Sequence, residues 1–311
     1  MLCPKAIAPL YQGRPYDVSV LPWHPADAKS LLPLWQSPGF DLAFVPGDNR
    51  YSWLALAAGA RWIVAHGRDR PAWKNWPLDE MHDYPEHADS WHGMVAKLAN
   101  KDFRDRYQPP DWAAPVVSHF TVPPQPYAVL HVGASSPLKF WPAERWLALA
   151  DWLQQQGIVP YWSAGPGEEA LVSAIDPTGR YVSLAGQLSL PAMWHLLQHA
   201  RLLVCPDTGV AHLGRLVNVP TVVLFGPGSD VLCGAGDFWR DAPFRSVTIR
   251  DMPCRDQRVM FRREAAWIRR CGRSVSECTE PRCMSLIMLD PVYQACADLL
   301  ASNSLLMQDS E

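Results

Sequence analysis

The second half of the chain alternates short, nearly continuous apolar runs with longer stretches in which apolar residues recur every three to four positions. Residues 127–133 (YAVLHVG) form one such run, and residues 142–157 (PAERWLALADWLQQQG) follow with Pro at the start and Gly at the end. That pattern predicts a strand and then a helix. It repeats as a strand over IVPYWSAG, a helix over EEALVSAI, a strand or loop at YVSLAG and a helix over residues 190–200. Then come a strand running into a turn at RLLVCPDTG, a helix at VAHLGRLVN and a strand at PTVVLFGP. Apolar strands of four to seven residues alternating with helices predict an α/β fold, a parallel sheet covered on both faces.

The first half is more weakly patterned. YDVSVLPW, FDLAFVPGD and ARWIVAHG are candidate strands separated by helical stretches such as NRYSWLALAAG, so this half also reads as α/β. The chain opens in a loop, and the hydrophobic strand with a Gly-containing turn that usually begins a nucleotide fold is missing. Between the halves, residues 107–126 (YQPPDWAAPVVSHFTVPPQP) keep neither period and predict an interdomain linker. The expected domains are 1–115 and 116–311, in keeping with about 150 residues per domain.

Composition narrows the function classes. With 28 Lys and Arg against 31 Asp and Glu, a net charge of −3 and 48% apolar residues, the chain is neither disordered nor a general nucleic-acid binder. No apolar run reaches the roughly 18 residues of a transmembrane helix, and the opening MLCPKAIAPLYQGRP is no secretory signal. A soluble cytoplasmic chain is expected. Eight Cys are too few and too uneven for a disulfide scaffold.

In parallel α/β sheets ligands bind where strands end, so the strand-exit turns are the places to look for chemistry. In residues 133–142 (GASSPLKFWP), small residues let backbone N–H groups approach an anion, Ser135 and Ser136 add hydroxyls, and Lys139 adds a positive charge. An ordinary strand-to-helix loop with a surface Lys has the same composition. In residues 205–214 (CPDTGVAHLG), Asp207, Thr208 and Gly209 stand where a strand turns into a helix, and His212 falls on that helix's first turn. A plain N-cap and a surface His would read alike. Glu169 in GPGEE is placed to accept hydrogen bonds from ribose hydroxyls or to stabilise its own helix N-terminus. FGPGSD, residues 225–230, is a fourth Gly-rich exit. Four such turns in one domain point to a phosphate or nucleotide ligand.

The ordered set HVGASSPLKFWPAERW, SAGPGEE, LAGQLSLPAMWHLLQHARLLVCPDTGVAHL and VPTVVLFGP resembles glycosyltransferase family 9, the ADP-heptose heptosyltransferases of lipopolysaccharide core assembly. The likeness runs from about residue 127 to residue 227, and PDTGVAHL followed by VPTVVLFGP is its most specific part. It implies a GT-B fold, two Rossmann-like domains facing a cleft, with the sugar nucleotide held mainly by the second. Lys139 would contact the diphosphate or sugar, Ser135 and Ser136 would line the phosphate site, and Glu169 would hold the ribose. Asp207, Thr208, Gly209 and His212 would close around the sugar and diphosphate. No cofactor is implied, because helix N-termini and Lys can stabilise a departing diphosphate.

The resemblance further implies direct displacement at the anomeric carbon, a carboxylate taking the acceptor's proton. In the family that base lies in a Gly-Asp turn after the first strand, and this sequence has no such turn. By this alignment the first strand–helix–strand unit is absent. A start annotated too late, an inactive relative and a variant with another base all account for it, and Asp48 is the one replacement to name. Its competing role is that of a turn-forming Asp. The expected function is heptose transfer from an ADP-heptose-type donor to a lipopolysaccharide core or related acceptor. The alternative is an inactive sugar-nucleotide-binding or scaffolding relative.

Cys254, Cys271, Cys278 and Cys283 fall within 30 residues, at separations of 17, 7 and 5. Buried free thiols are the default reading and no metal is expected. A metal site is the alternative, since some relatives that glycosylate autotransporter proteins carry a Cys-bound iron. The same window holds Arg255, Arg258, Arg262, Arg263, Arg269, Arg270 and Arg273. A positive face there would suit a phosphorylated glycolipid acceptor and peripheral docking at the inner membrane, and a solvated helix face would look the same.

Overall fold

A computed structural model describes residues 1–11, 18–99, 106–109, 112–117 and 120–308. Leu2–Pro4 (β1) and Leu21–Trp23 (β2) pair in parallel as a small separate sheet. The chain therefore begins with a strand and not in the expected loop. Three residues closed by Pro4 are too short to show a period, and the strand rests on pairing, with Leu21 N–H donating to Met1 O at 2.8 Å.

Leu32–Trp35 (α1) precedes Ala43–Val45 (β3), Ser52–Ala57 (α2), Ile63–His66 (β4), Glu80–His82 (β5) and Trp91–Ala99 (α3). The strands β3, β4 and β5 form a parallel sheet in that order. Val45, Ala60, Ile63 and Ala65 make its small core.

The larger unit follows the sequence pattern closely. Tyr127–His131 (β6), Ala143–Gln155 (α4), Val159–Ser163 (β7), Glu169–Ile175 (α5) and Val182–Ser183 (β8) are followed by Leu190–Gln198 (α6), Leu202–Pro206 (β9), Gly209–Leu216 (α7), Thr221–Phe225 (β10) and Phe244–Thr248 (β11). All pairings are parallel, in the order β11-β10-β9-β6-β7-β8. Alternate side chains leave each strand on opposite faces. Ala128, Leu130, Val204 and Leu224 pack with Trp146, Leu149 and Leu153 of α4. Tyr127, Val129, Cys205 and Val223 pack on the other face with Leu196, Leu197 and Leu213 of α6 and α7.

After β11 the chain makes a hairpin from Val259–Met260 (β12) and Arg263–Glu264 (β13), then Arg282–Ser285 (α8) and Leu289–Gln308 (α9). Val292, Cys296 and Leu299 lay α9 on the α4 face of the sheet. The hairpin reaches back to the first half. The buried Arg263 guanidinium donates to Gly67 O at 2.8 Å, His66 O at 2.9 Å and Gly47 O at 3.0 Å, with the buried Asp69 carboxylate at 3.6 Å. The described part of 107–126 has no strand and no α-helix, but it is packed: Tyr107 N–H donates to Phe238 O at 3.1 Å, and Phe120 and Val122 lie against the α6–α7 core.

Candidate functional site

The sheet order places a switch point between β6 and β9, because the chain winds from β6 towards β8 on one side and from β9 towards β11 on the other. Loops leaving such neighbours in opposite directions open a crevice beyond their carboxyl ends. A cavity of about 490 Å³ lies there, and Ser135, Ser136, Lys139, Asp207, Thr208, Gly209 and His212 all line it. Residues some 70 positions apart in sequence thus meet because both strands run the same way.

Lys139 spans the crevice, its ammonium donating to Asp207 O at 2.6 Å and to Asp207 Oδ2 at 3.1 Å. Ser136 Oγ accepts the Leu138 N–H at 3.3 Å, capping the short turn that carries Lys139, while Ser135 is exposed at the cavity. Thr208 holds the N-cap position of α7 without spending its side chain on a cap, so its hydroxyl and the first N–H groups of that helix are left to a ligand. Gly228 closes the far wall, where a Cβ would collide with Asp207 Oδ2.

His212 stands with its outer edge open to the cavity. Arg215 Nη2 lies on His212 Nδ1 and has only protons to offer, so Nδ1 accepts and Nε2 carries the hydrogen. Desolvation by the cavity walls, then the Arg215 charge, lower its pKa to about 4. His212 is therefore a neutral donor at physiological pH. Arg215 itself is buried, held by the carbonyls of Cys233 and Gly234.

Glu169 is not part of this wall. Its exposed carboxylate accepts the Gly167 N–H at 3.0 Å and serves its own helix. The neighbouring Glu168, which sequence reading passed over, turns towards the loops that leave β6 and β7. Its Oε2 accepts from Gly165 N–H at 2.7 Å and its Oε1 from Ala134 N–H at 3.1 Å. A Cβ at Gly133 would collide with that carboxylate. Glu168 occupies the N-cap, outside helical geometry, so its side chain leaves in a different direction from Glu169.

Asp48 is also engaged elsewhere. It caps the turn Asn49–Tyr51, accepting from Arg50 N–H at 2.9 Å and Arg50 Nη2 at 2.7 Å, with Lys74 Nζ at 2.8 Å. Burial would push its carboxyl up, but these bonds from Arg50 and Lys74 outweigh it and hold the group far below the usual carboxylate range. A carboxylate so stabilised is a poor proton acceptor, and it does not line the cavity. The geometry gives Asp48 the turn-forming role.

Cys254, Cys271, Cys278 and Cys283 do converge, lining one adjoining cavity of about 440 Å³ that shares Leu138, Pro227, Cys271 and Arg273 with the first. Among the described residues, however, no three His, Cys, Asp or Glu side chains are arranged to hold a metal ion. The arginines form no continuous face either: Arg255 and Arg263 are buried among carbonyl oxygens, whereas Arg270 and Arg273 line the crevice. No helix among the described residues is long and apolar enough to cross a membrane.

Lipopolysaccharide heptosyltransferase 3 of Escherichia coli is 29% identical over 144 residues, 43% of this chain and 41% of the relative, so the chain matches about two-fifths of that protein's length. A glycosyl transferase family 9 structure from Veillonella parvula superposes with a TM-score of 0.70 at 15% identity, covering 97% of this chain and 88% of that one. The ADP-heptose lipopolysaccharide heptosyltransferase II of E. coli does so with a TM-score of 0.68 at 18% identity, covering 97% and 89%. These likenesses show the fold, and the architecture is GT-B. The sequence profile of glycosyltransferase family 9 (heptosyltransferase) matches residues 74–260, more than half of the sequence, and the chain belongs to that family.

Proposed function

We propose that this chain transfers heptose from an ADP-heptose-type donor to a lipopolysaccharide-core or related acceptor, a phosphorylated glycolipid met at the inner face of the cytoplasmic membrane. The observation that carries the reading is the switch-point crevice, where Lys139, the free N–H groups of α7, the Thr208 hydroxyl and the His212 Nε2–H converge beside Asp207. Three kinds of donor and one ammonium suit a diphosphate. The named activity of the E. coli structural relative supplies the sugar and nucleotide.

In this reaction the acceptor oxygen bonds to the anomeric carbon, the bond from that carbon to the diphosphate oxygen breaks, and the acceptor's proton passes to a base. The residues above act on the leaving group: Lys139 and the α7 N–H groups meet the charge that grows on the diphosphate. Neutral His212 donates a hydrogen bond to it or to the sugar. We give the ribose-binding role to Glu168 and not to Glu169, since its carboxylate lies at the exits of β6 and β7, bonded to the Gly165 and Ala134 N–H groups.

One observation favours a second reading. Asp48 is held as a carboxylate by Arg50 and Lys74, which suits a protein that binds the sugar nucleotide without transferring the sugar. Calorimetry with ADP, followed by ADP release from ADP-heptose in the presence of deacylated lipopolysaccharide core, separates the two. Binding with turnover supports the transferase, binding without turnover supports the second reading, and no ADP binding overturns both.

A further inference from the structure

Most arginines of the 255–273 stretch are spent on the fold. Arg255 donates to Gly226 O at 2.7 Å, Arg258 to Ile268 O at 2.9 Å and Arg263 to Gly67 O at 2.8 Å, while Arg273 pairs with Asp256 at 3.1 Å. Arg270 differs. Its backbone is fixed on both sides: its carbonyl accepts from Gln257 N–H at 3.0 Å, its own N–H donates to Gln257 O at 3.3 Å, and the next N–H, of Cys271, donates to Pro227 O at 2.8 Å. The last bond ties it to the exit of β10. Its half-buried side chain lines the crevice with Lys139, Asp207, Thr208 and His212. Among the described residues no hydrogen bond or carboxylate holds its guanidinium.

We propose that Arg270 is a second cation for the donor's diphosphate, binding the phosphate oxygens across the crevice from the Lys139 ammonium. This rests on the nucleotide-sugar reading given above and extends it to a residue beyond 260, where the match to the family profile ends. The crevice carries three cations, Lys139, Arg270 and Arg273, against the one carboxylate of Asp207. Lys139 already shares its charge with Asp207 and Arg273 with Asp256, so Arg270 supplies the positive charge in excess. Holding an uncompensated cation beside another is unfavourable until an anion arrives. A guanidinium presents parallel N–H groups that match two phosphate oxygens at once, and its fixed backbone pre-positions them.

The test is calorimetry of the wild type, Arg270→Ala, Arg270→Lys and Lys139→Ala against ADP and against AMP, with thermal melts of each. The Arg270 side chain makes no bonds in the fold, so its variants are expected to melt with the wild type. Arg270→Ala should weaken ADP by about tenfold to a hundredfold, as loss of a charge-assisted contact does, and change AMP less than about threefold. Arg270→Lys should recover part of the loss. Wild-type affinity for ADP in Arg270→Ala, with the loss confined to Lys139→Ala, overturns the proposal and leaves the nucleotide reading intact. Equal weakening of AMP and ADP overturns it too, since the effect would then not lie at the outer phosphate. A wild type that binds no ADP brings down the underlying reading as well.

Discussion

Lys139 and Asp207 clamp the two halves of the switch point together: the ammonium that leaves β6 donates to both the carbonyl and the carboxylate that leave β9, at 2.6 and 3.1 Å. Neither group is exposed enough to be a surface ion pair, with side-chain exposures of 22% and 12%. The carboxylate holds the ammonium at the mouth of α7, so an anion entering the crevice would meet a cation already in place.

Lys139→Ala should therefore weaken ADP by about 1.5–3 kcal/mol, the scale of a lost charge-assisted contact. Asp207→Ala should weaken it by a similar amount, because the ammonium is then free to swing away. Calorimetry reads both. Unchanged affinity in the two variants would remove the diphosphate from this crevice.

Glu168→Gln and Glu169→Gln make an internally controlled pair. Glu168 faces Gly133 and Gly165 at the exits of β6 and β7, whereas Glu169 is exposed on its own helix. Replacing Glu168 should weaken adenosine and ADP alike by about tenfold, a ribose contact being common to both. Replacing Glu169 should leave both affinities alone. The reverse result would restore the assignment made from sequence.

Asp48→Asn should act on stability before chemistry. The carboxylate caps a turn and neutralises the buried Lys74, which Asp69 approaches less closely, at 3.4 Å. A loss of about 1–3 kcal/mol in urea unfolding is expected, from a weakened cap and an undercompensated buried cation. ADP affinity should not change. Full stability with turnover abolished would instead make Asp48 the base.

The parts of the fold that could be read from sequence are those in which one segment is buried on both sides. The strands β6, β7, β9 and β10 are almost wholly covered, and their apolar runs say so. The edge strand β11 (FRSVT) is covered only in part, with Arg245 and Ser246 exposed, so its composition carries no such mark. Seven of the eight chosen binding residues meet in one cavity, because strand-exit turns of a parallel sheet must share an end. The eighth, Glu169, lies outside that cavity; Glu168 and Glu169 are the same residue type, and the backbone angle at the N-cap, invisible in the letters, decides which one turns towards the exits of β6 and β7. Arg270 was hidden differently. It reaches the crevice through a bridge to Gln257 and a bond to Pro227, both set by tertiary packing.

Acid should destabilise the fold through its buried histidines. His66 and His131 both have pKa values lowered to about 4, His131 by burial and His66 by burial and then the Arg263 charge, with neither ring nitrogen of His66 hydrogen-bonded. In the unfolded chain both titrate near the ordinary value of about 6.5. Below that value the unfolded state takes up protons that the native state refuses. The stability contributed by the neutral rings is thus complete above about pH 6.5 and lost progressively towards pH 4, at up to about 1.4 kcal/mol per pH unit for each ring. Melting temperatures at pH 7.5, 6 and 5 should fall in that order. A flat profile over this range would show that these rings accept protons in the native state.

Thiol reactivity should divide the eight cysteines, and it also bears on the metal question. Burial pushes Cys205 and Cys296 far up and raises Cys283 to about 11, so few of these thiols are thiolates at pH 8. Cys254, Cys271 and Cys278 are only half-buried and line an open cavity. Alkylation of the native protein at pH 8, mapped by mass spectrometry, should modify these three first, and Cys205 and Cys296 only after denaturation. The opposite pattern is equally informative. If Cys254, Cys271 and Cys278 are protected together and a chelator exposes them together, they are held as thiolates by one metal ion, because neither burial nor separate hydrogen bonds would release three thiols in a single step.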